Sequence, residues 1–269
     1  GRFTEAIGAL PPMTTSAQRA AVADIDNDGD LDIYLGGRQT PAHYPFAPRS
    51  YLLVNDGQGN FTDASPQLAP TAMGPGMVTD VLFADIDGDH DPDLVLSGEW
   101  MPITVFGNNG GHFENITAQC GLANTAGWWN TVTAADLDAD GDVDLVGGNL
   151  GWNSKFKADE EHPLHVYWAD MDGNGRSDIV LAKEKEGKQL PVRGRECSSQ
   201  QCPVIMERFP TYEAFAKADL SAIYTPERLE KALHLTATHM RSAVFLNDGK
   251  GGFTTHDLPV HAQVAPIQG

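Results

Sequence analysis

Basic residues are scarce in this chain. It holds 18 Lys and Arg against 37 Asp and Glu, a formal net charge of −19. The imbalance is steepest over residues 1–150, which carry 4 basic and 21 acidic groups. No basic stripe is present that could follow a phosphate backbone, which argues against nucleic acid as a partner. Cysteine is nearly missing too, and three residues cannot make a disulfide framework. Cys197 and Cys202, in CSSQQC, are near enough to bridge in an oxidising compartment or to stay as free thiols, and Cys120 is left over. There is no run of 18 apolar residues, hence no membrane-spanning helix, and no signal peptide is visible. HExxH, GxSxG and Walker loops are absent. With 269 residues, 41 % of them hydrophobic, the chain still has enough apolar mass for one large all-β domain or two small ones.

The acidic residues are concentrated. Four nine-residue stretches, DIDNDGDLD (24–32), DIDGDHDPD (85–93), DLDADGDVD (136–144) and DMDGNGRSD (170–178), hold 18 of the 37. Oxygen side chains stand at positions 1, 3, 5 and 9: Asp24, Asp26, Asp28 and Asp32; Asp85, Asp87, Asp89 and Asp93; Asp136, Asp138, Asp140 and Asp144; Asp170, Asp172, Asn174 and Asp178. Position 7 (Asp30, Asp91, Asp142, Arg176) is expected to give only its backbone carbonyl, so Arg176 is tolerated there. Carboxylates this close repel by roughly 1–4 kcal/mol per pair at about 4 Å. A hard divalent cation removes that repulsion. Calcium suits the set, because it takes six to eight oxygens in a flexible shell. About four Ca²⁺ are expected, which would bring the formal charge from −19 to −11.

These loops are not EF-hands, which need a bidentate Glu at position 12 and flanking helices. Position 12 here is Leu35, Leu96, Gly147 or Leu181. Short apolar runs lie on both sides (AAVA, VLFA, VTAA and VYWA before; IYL, LVL, LVG and IVL after) and read as buried strands. Each loop is thus the turn of a strand–loop–strand hairpin, with an apolar position 2 (Ile25, Ile86, Leu137, Met171) expected to pin it to the sheet. A second element recurs: YLLVNDGQGNFTDAS (51–65), ITVFGNNGGHFENIT (103–117) and AVFLNDGKGGFTTHD (243–257). Its Asn-Asp-Gly or Asn-Asn-Gly turn is a hairpin signal. The aromatics after it, Phe61, Phe113 and Phe253, are expected in the core. The whole unit is a four-stranded antiparallel blade of about 50 residues, and repeats of that kind mean a β-propeller.

With these residues in view, the chain resembles the FG-GAP or VCBS repeat family, whose best-known fold relative is the integrin α-chain propeller. The stretch PVRGRECSSQQ (191–201) and the helical segment after it resemble bacterial secreted VCBS-repeat proteins. The resemblance implies calcium in the blade loops at the positions named above, a secreted or cell-surface location, and binding or adhesion in place of catalysis. The repeats themselves give the expected fold class, an all-β, partial propeller ring of about four to five blades, where the family's ring has about seven. One departure is His90 at position 6 of the second loop, where the other loops have Gly; the glycine there is Gly88.

The repeats are uneven. First positions step by 61, 51 and then 34 residues, and 34 is too short for a blade. Residues 190–235 change character and are expected to insert two or three short helices into the fourth blade. Thr211 is the cap of YEAFAKA, Pro226 opens ERLEKAL, and Leu229, Ala232 and Leu233 share one face. That insertion, with Arg193, Arg195, Glu207, Arg208, Tyr212 and Lys217, is expected to carry partner specificity. Residues 1–5 repeat the second half of the hairpin, and LPVHAQVAPIQG (258–269) falls where a further cage strand is expected, so a segment of a larger ring is expected. Trp128, Trp129 and Trp152 either wedge between blades or stack on a sugar ring. The histidines, among them His162, His165, His234 and His239, read as scattered, not as a zinc site. Asn60 and Asn115 open N-glycosylation sequons. Three function classes follow: a non-enzymatic module binding an extracellular protein or glycan; a structural subunit pairing with neighbouring copies through incomplete blades; and a calcium-dependent polysaccharide lyase, which needs a basic residue and a Tyr, His or carboxylate in one cleft.

Overall fold

The computed structural model describes residues 4–268. The repeat of residues 1–5 therefore lies mostly outside the described residues. In chain order the strands are β1 (Ser16–Ala23), β2 (Asp32–Gln39), β3 (Tyr51–Asn55), β4 (Phe61–Asp63), β5 (Met77–Ala84), β6 (Asp93–Met101), β7 (Thr104–Asn109), β8 (His112–Asn115), β9 (Gly127–Trp128), β10 (Thr131–Ala135), β11 (Asp144–Gly148), β12 (Leu164–Ala169), β13 (Asp178–Lys185), β14 (Lys188–Pro191), β15 (Leu233–Ala237), β16 (Ala243–Asn247) and β17 (Phe253–Asp257). They form four sheets, ordered β1-β2-β3-β4, β5-β6-β7-β8 with β9 beside β6, β10-β11-β16-β17, and β14-β13-β12-β15. Every pairing is antiparallel. This is the expected all-β, partial propeller architecture.

The aspartate loops close their strands in one register. The last carboxylate of each ladder opens a strand and faces an alanine: Ala23 with Asp32, Ala84 with Asp93, Ala135 with Asp144 and Ala169 with Asp178. A one-residue slip would turn every side chain to the other face, so this shared register sets which residues enter the core.

The described chain divides into two compact units, residues up to Ser154 together with those from Met240 onward, and Lys155–His239. The first holds three sheets. One core joins Ile25, Tyr34 and Leu52 to Val78, Leu94, Leu96 and Phe106; a second joins Ile86, Val95 and Val105 to Trp129, Val132, Leu145 and Phe245. Close sheet approach requires glycine. A Cβ on Gly36 would stand 2.6 Å from Val78 Cγ1, and one on Gly147 2.7 Å from the Trp129 ring. Trp129 is fully buried, lies edge-on to Phe245 at 5.6 Å and donates its indole N–H to Thr125 O at 2.8 Å. It is therefore a wedge. Trp152 is 41 % exposed with the Arg241 guanidinium 4.3 Å over its ring.

The second unit corrects the expected connectivity. The 243–257 hairpin completes the third sheet, not the fourth, because β16 pairs with β11. The chain leaves the third sheet after two strands, builds a separate sheet and returns, which accounts for the short 34-residue step. In that sheet β12 is internal and β15 takes its outer side. The helical insertion also differs from expectation. After a first short helix, α1 (Ser65–Leu68), five more follow β14: α2 (Arg195–Gln201), α3 (Val204–Arg208), α4 (Tyr212–Lys217), α5 (Leu220–Tyr224) and α6 (Pro226–Lys231). Thr211 caps α4 by accepting from Ala214 N at 3.1 Å, as expected, but Leu233 begins β15 and does not continue α6. Cys202, Ile205, Phe215, Leu220, Ile223 and Tyr224 bury against Tyr167, Met171, Val180 and Ala182, so the helices supply this sheet's core. Arg195 is buried and donates to the carbonyls of Phe209 and Pro210; Arg208 donates to those of Ile223 and Ala222. These arginines close helix ends and are not free for a partner. Cys197 and Cys202 are not bridged. Residues 260–263 form a 3₁₀ turn where a cage strand was expected.

Replacing Trp129 by Ala is expected to cost about 3–5 kcal/mol in denaturant unfolding, the range for a buried aromatic. Trp152→Ala is expected to cost under about 1 kcal/mol, as for an exposed cation–π pair.

Candidate metal centres

Each aspartate loop wraps around its own carboxylates. The position-1 side chain accepts amide hydrogens from the loop that follows: Asp24 from Asp28 and Gly29, Asp85 from Gly88 and His90, Asp136 from Ala139 and Gly141, Asp170 from Gly173, Asn174 and Gly175. Two residues per loop take positive φ to allow this. At position 6 they are Gly29, His90, Gly141 and Gly175. His90, at φ 75°, follows the glycine path, and its ring stays exposed. Histidine is among the side chains that tolerate this region, so the substitution leaves the loop's course unchanged.

The result is convergence. Ligand oxygens of Asp24, Asp26 and Asp32 lie within 4.8 Å of one another, as do those of Asp85, Asp87 and Asp93, of Asp136, Asp138 and Asp144, and of Asp170, Asp172 and Asp178. Positions 1, 3 and 9 are thus brought together in all four loops. Position 5 is not part of that cluster; one oxygen of Asp28, Asp89, Asp140 and Asn174 accepts the amide of position 7 at 3.1, 2.8, 3.0 and 2.8 Å. Position-7 carboxylates turn to their own hairpin: Asp91 accepts from Gly110 N at 3.2 Å, and Asp142 lies against Gly249. The fourth loop lacks that hairpin and carries exposed Arg176 at position 7. Of the position-2 side chains, Ile25, Ile86 and Met171 are buried, but Leu137 is 46 % exposed and does not pin its loop.

The position-9 carboxylates are the buried ones, at 0–3 % exposure. One oxygen accepts from the position-2 amide, in Asp32, Asp93, Asp144 and Asp178 alike. In the first three the other oxygen accepts from the first residue of the hairpin turn, Asn55 N at 2.9 Å, Asn108 N at 2.8 Å and Asn247 N at 2.8 Å. Burial still outweighs these bonds for Asp93, whose carboxyl is pushed up to about 6; burial likewise raises Asp32 and Asp178. A carboxylate deprived of water, facing two others, is the donor set a hard divalent cation stabilises. The three convergent carboxylates fit a metal ion, with a second oxygen to add from Asp28, Asp89 and Asp140 at position 5, whereas the single amide oxygen of Asn174 already accepts from Arg176 N.

Sequence reasoning took the hairpin asparagines for turn residues only. The structure gives them a second task. Asn108 Nδ2 donates to Ile25 O, in the loop of the preceding sheet, at 2.9 Å, and Asn247 Nδ2 donates to Ile86 O at 2.8 Å. Asn55, in the first sheet, donates to Leu31 O of its own loop. A Cβ on Gly111 or Gly251 would abut Asp26 or Asp87, whereas one on their counterpart Gly59 would meet nothing within 4 Å among the described residues. The recurrence of Asn at one place in three hairpins was the available signal. Asp80, also missed, joins the first strands of three sheets, taking Arg19 at 3.1 Å and Thr131 Oγ1 at 2.6 Å.

A lyase-like site would need a basic residue and a tyrosine, histidine or carboxylate in one cleft. Arg38, Tyr44 and Glu99 do converge: Glu99 pairs with Arg38 and accepts from Tyr44 OH at 3.0 Å, while Trp100 Nε1 donates to Tyr44 OH at 2.7 Å. Burial raises the Tyr44 phenol above its ordinary value, opposite to what a tyrosine base needs.

The FG-GAP-like repeat family matches residues 46–96 and 85–147, which span the second and third aspartate loops. Residues 46–147 thus match FG-GAP-like repeats. No curated protein is similar at a significant level. A solved structure described as the basis of specific recognition of non-reducing terminal N-acetylglucosamine by an Agrocybe aegerita lectin aligns with 93 % of this chain and 69 % of its own, at 19 % identity and a TM-score of 0.33.

Two outcomes are expected from the FG-GAP loops. Without metal, the folded state holds a proton on Asp93 more tightly than the unfolded state, so stability falls as pH rises from about 4 through 6. Melting in EDTA across that range should show the decline, and Asp93→Asn should flatten it. Asn108→Ala should cost about 1–3 kcal/mol by leaving a buried carbonyl unpaired, and Asn55→Ala clearly less, both read from denaturant midpoints.

Proposed function

We propose that this chain is a calcium-stabilised, extracellular binding module whose FG-GAP-like blades hold a surface for a protein or glycan partner and do no chemistry. The observation that carries the reading is the convergence of three carboxylates within 4.8 Å in each of four loops, one of them buried every time. Four repeats of one cage serve a scaffold; a catalytic centre is built once. The residues that would hold the ions are Asp24, Asp26, Asp28 and Asp32; Asp85, Asp87, Asp89 and Asp93; Asp136, Asp138, Asp140 and Asp144; and Asp170, Asp172, Asn174 and Asp178. The carbonyls of Asp30, Asp91, Asp142 and Arg176 would complete each set. Bound calcium would neutralise each cage and let the position-9 carboxylate stay buried and charged.

A second reading is association between copies through incomplete blades. It is supported by Asn55 and Gly59, which present on the first sheet the groups that Asn108, Gly111, Asn247 and Gly251 use against a neighbouring loop. Light scattering with and without calcium separates the two readings, since a monomer at all concentrations removes the second.

An ion that binds only the folded state adds about 2.7 kcal/mol per site at a hundred times its Kd. Chelation is therefore expected to lower the melting temperature markedly and to abolish binding on a glycan or protein array. A melting curve unchanged in excess EDTA would contradict the structural role of the ions. An array signal that survives chelation would detach recognition from them.

A further inference from the structure

Two histidines that stand 69 residues apart in sequence meet on the fourth sheet. His165 Nδ1, on β12, lies 3.0 Å from His234 Nε2, on β15. The two strands are hydrogen-bonded neighbours, with His165 opposite Thr236 and His234 opposite Tyr167. His165 is buried at 4 % exposure, whereas His234 lies exposed and stacks flat on Tyr167, ring centroids 4.1 Å apart at 5°. The far nitrogen of the buried ring, His165 Nε2, faces Glu184 Oε1 at 3.5 Å and the Gln189 amide nitrogen at 3.4 Å. The Gln189 amide is itself oriented by Tyr167 OH, which donates to its Oε1 at 2.8 Å.

We propose that His165 and His234 form a binding site for an imidazole-preferring divalent transition ion such as Cu²⁺ or Zn²⁺, distinct from the aspartate cages. The charged carboxylate of Glu184 outweighs the neutral amide in setting the tautomer of His165. It holds the proton on Nε2 and leaves the Nδ1 lone pair aimed at His234. A histidine whose outer N–H faces a carboxylate is the arrangement that orients and strengthens a metal ligand. With metal–nitrogen bonds of about 2.0–2.1 Å, two nitrogens on one ion stand about 2.9–3.4 Å apart. The observed 3.0 Å already meets that span. Without an ion, one imidazole donates to the other. Loading needs only that the exposed ring of His234 carry its proton on Nδ1, an exchange that solvent permits. No bond is made or broken otherwise. Imidazole nitrogen favours such ions, and the cages, all oxygen, favour calcium. Two kinds of site therefore coexist without competing.

The position of the pair says what the ion would do. β15 is the outer strand of its sheet and receives the chain as it leaves the five helices. An ion between β12 and β15 ties that strand down and closes the long loop that carries the helical insertion. Closing a long loop restricts the unfolded chain, which favours the folded state.

The test is Cu²⁺ titrated into the full chain under saturating Ca²⁺, read by electron paramagnetic resonance and by melting temperature. Wild type is expected to show one tight site with couplings from two imidazole nitrogens and a raised melting temperature. His234→Ala, at an exposed position, should lose one nitrogen coupling, weaken binding at least tenfold and lose the thermal gain. Glu184→Gln should keep both nitrogens and weaken binding about 10- to 100-fold. Zn²⁺ should displace the copper, and Ca²⁺ should not. Retention of calcium-dependent melting shows that each variant is folded. A His234→Ala spectrum and affinity equal to wild type would overturn the proposal, as would a wild type with no site tighter than a single surface histidine; the pair would then be hydrogen-bonded only.

Discussion

The architecture depends on a buried carboxylate at the mouth of each sheet. Asp32, Asp93, Asp144 and Asp178 open strands, are almost without solvent, and stand beside other carboxylates. Burying a charge is costly unless it is paired. Here two backbone amides meet each of the first three, one from the loop and one from the hairpin turn. A single side chain thereby joins the loop, the second strand and the third strand of its blade. In the second and third sheets the hairpin asparagine, Asn108 or Asn247, carries the link to the preceding loop. What these amides cannot supply is countercharge, as the rise of Asp93 to about 6 shows. The proposed calcium would supply it, so ion binding and blade packing become one equilibrium.

The fourth sheet shows how far this plan bends. It keeps the loop and the Ala–Asp register but not the Asn hairpin, and its other features change together. Arg176 stands where the other loops place an aspartate beside the hairpin. Cys202 and Gln201, at the end of α2, lie near Asp178 in place of a hairpin amide. The helices fill the core against this sheet. The insertion is therefore first a structural substitute. Its Arg195 and Arg208 are engaged with backbone carbonyls, so any recognition by this segment rests on its other side chains.

The aspartate loops were legible because everything that defines them lies within nine residues. Charge spacing, the two turn positions and the flanking β-branched runs all report on local geometry. Sheet membership was not legible, because pairing is non-local. The 243–257 hairpin looks alike wherever it docks, and only the structure shows that β16 returns to β11 across an inserted unit. The exposure of Leu137 has the same origin: the residue matches Ile25 and Ile86 in sequence, but burial depends on what packs above it. His165 and His234 could be paired only once β15 was known to lie beside β12. Arg195 read as a surface group because its carbonyl partners come from a turn 14 and 15 residues away.

In the proposed function the four loops are metal cages on which the blades depend. Calorimetric titration of the chelated protein with Ca²⁺, with Mg²⁺ as the control ion, tests it most directly. About four calcium ions should bind, with little heat from magnesium, and Asp32→Asn, Asp93→Asn, Asp144→Asn and Asp178→Asn should each remove one. Binding of no calcium, or a stoichiometry untouched by all four substitutions, would contradict the account.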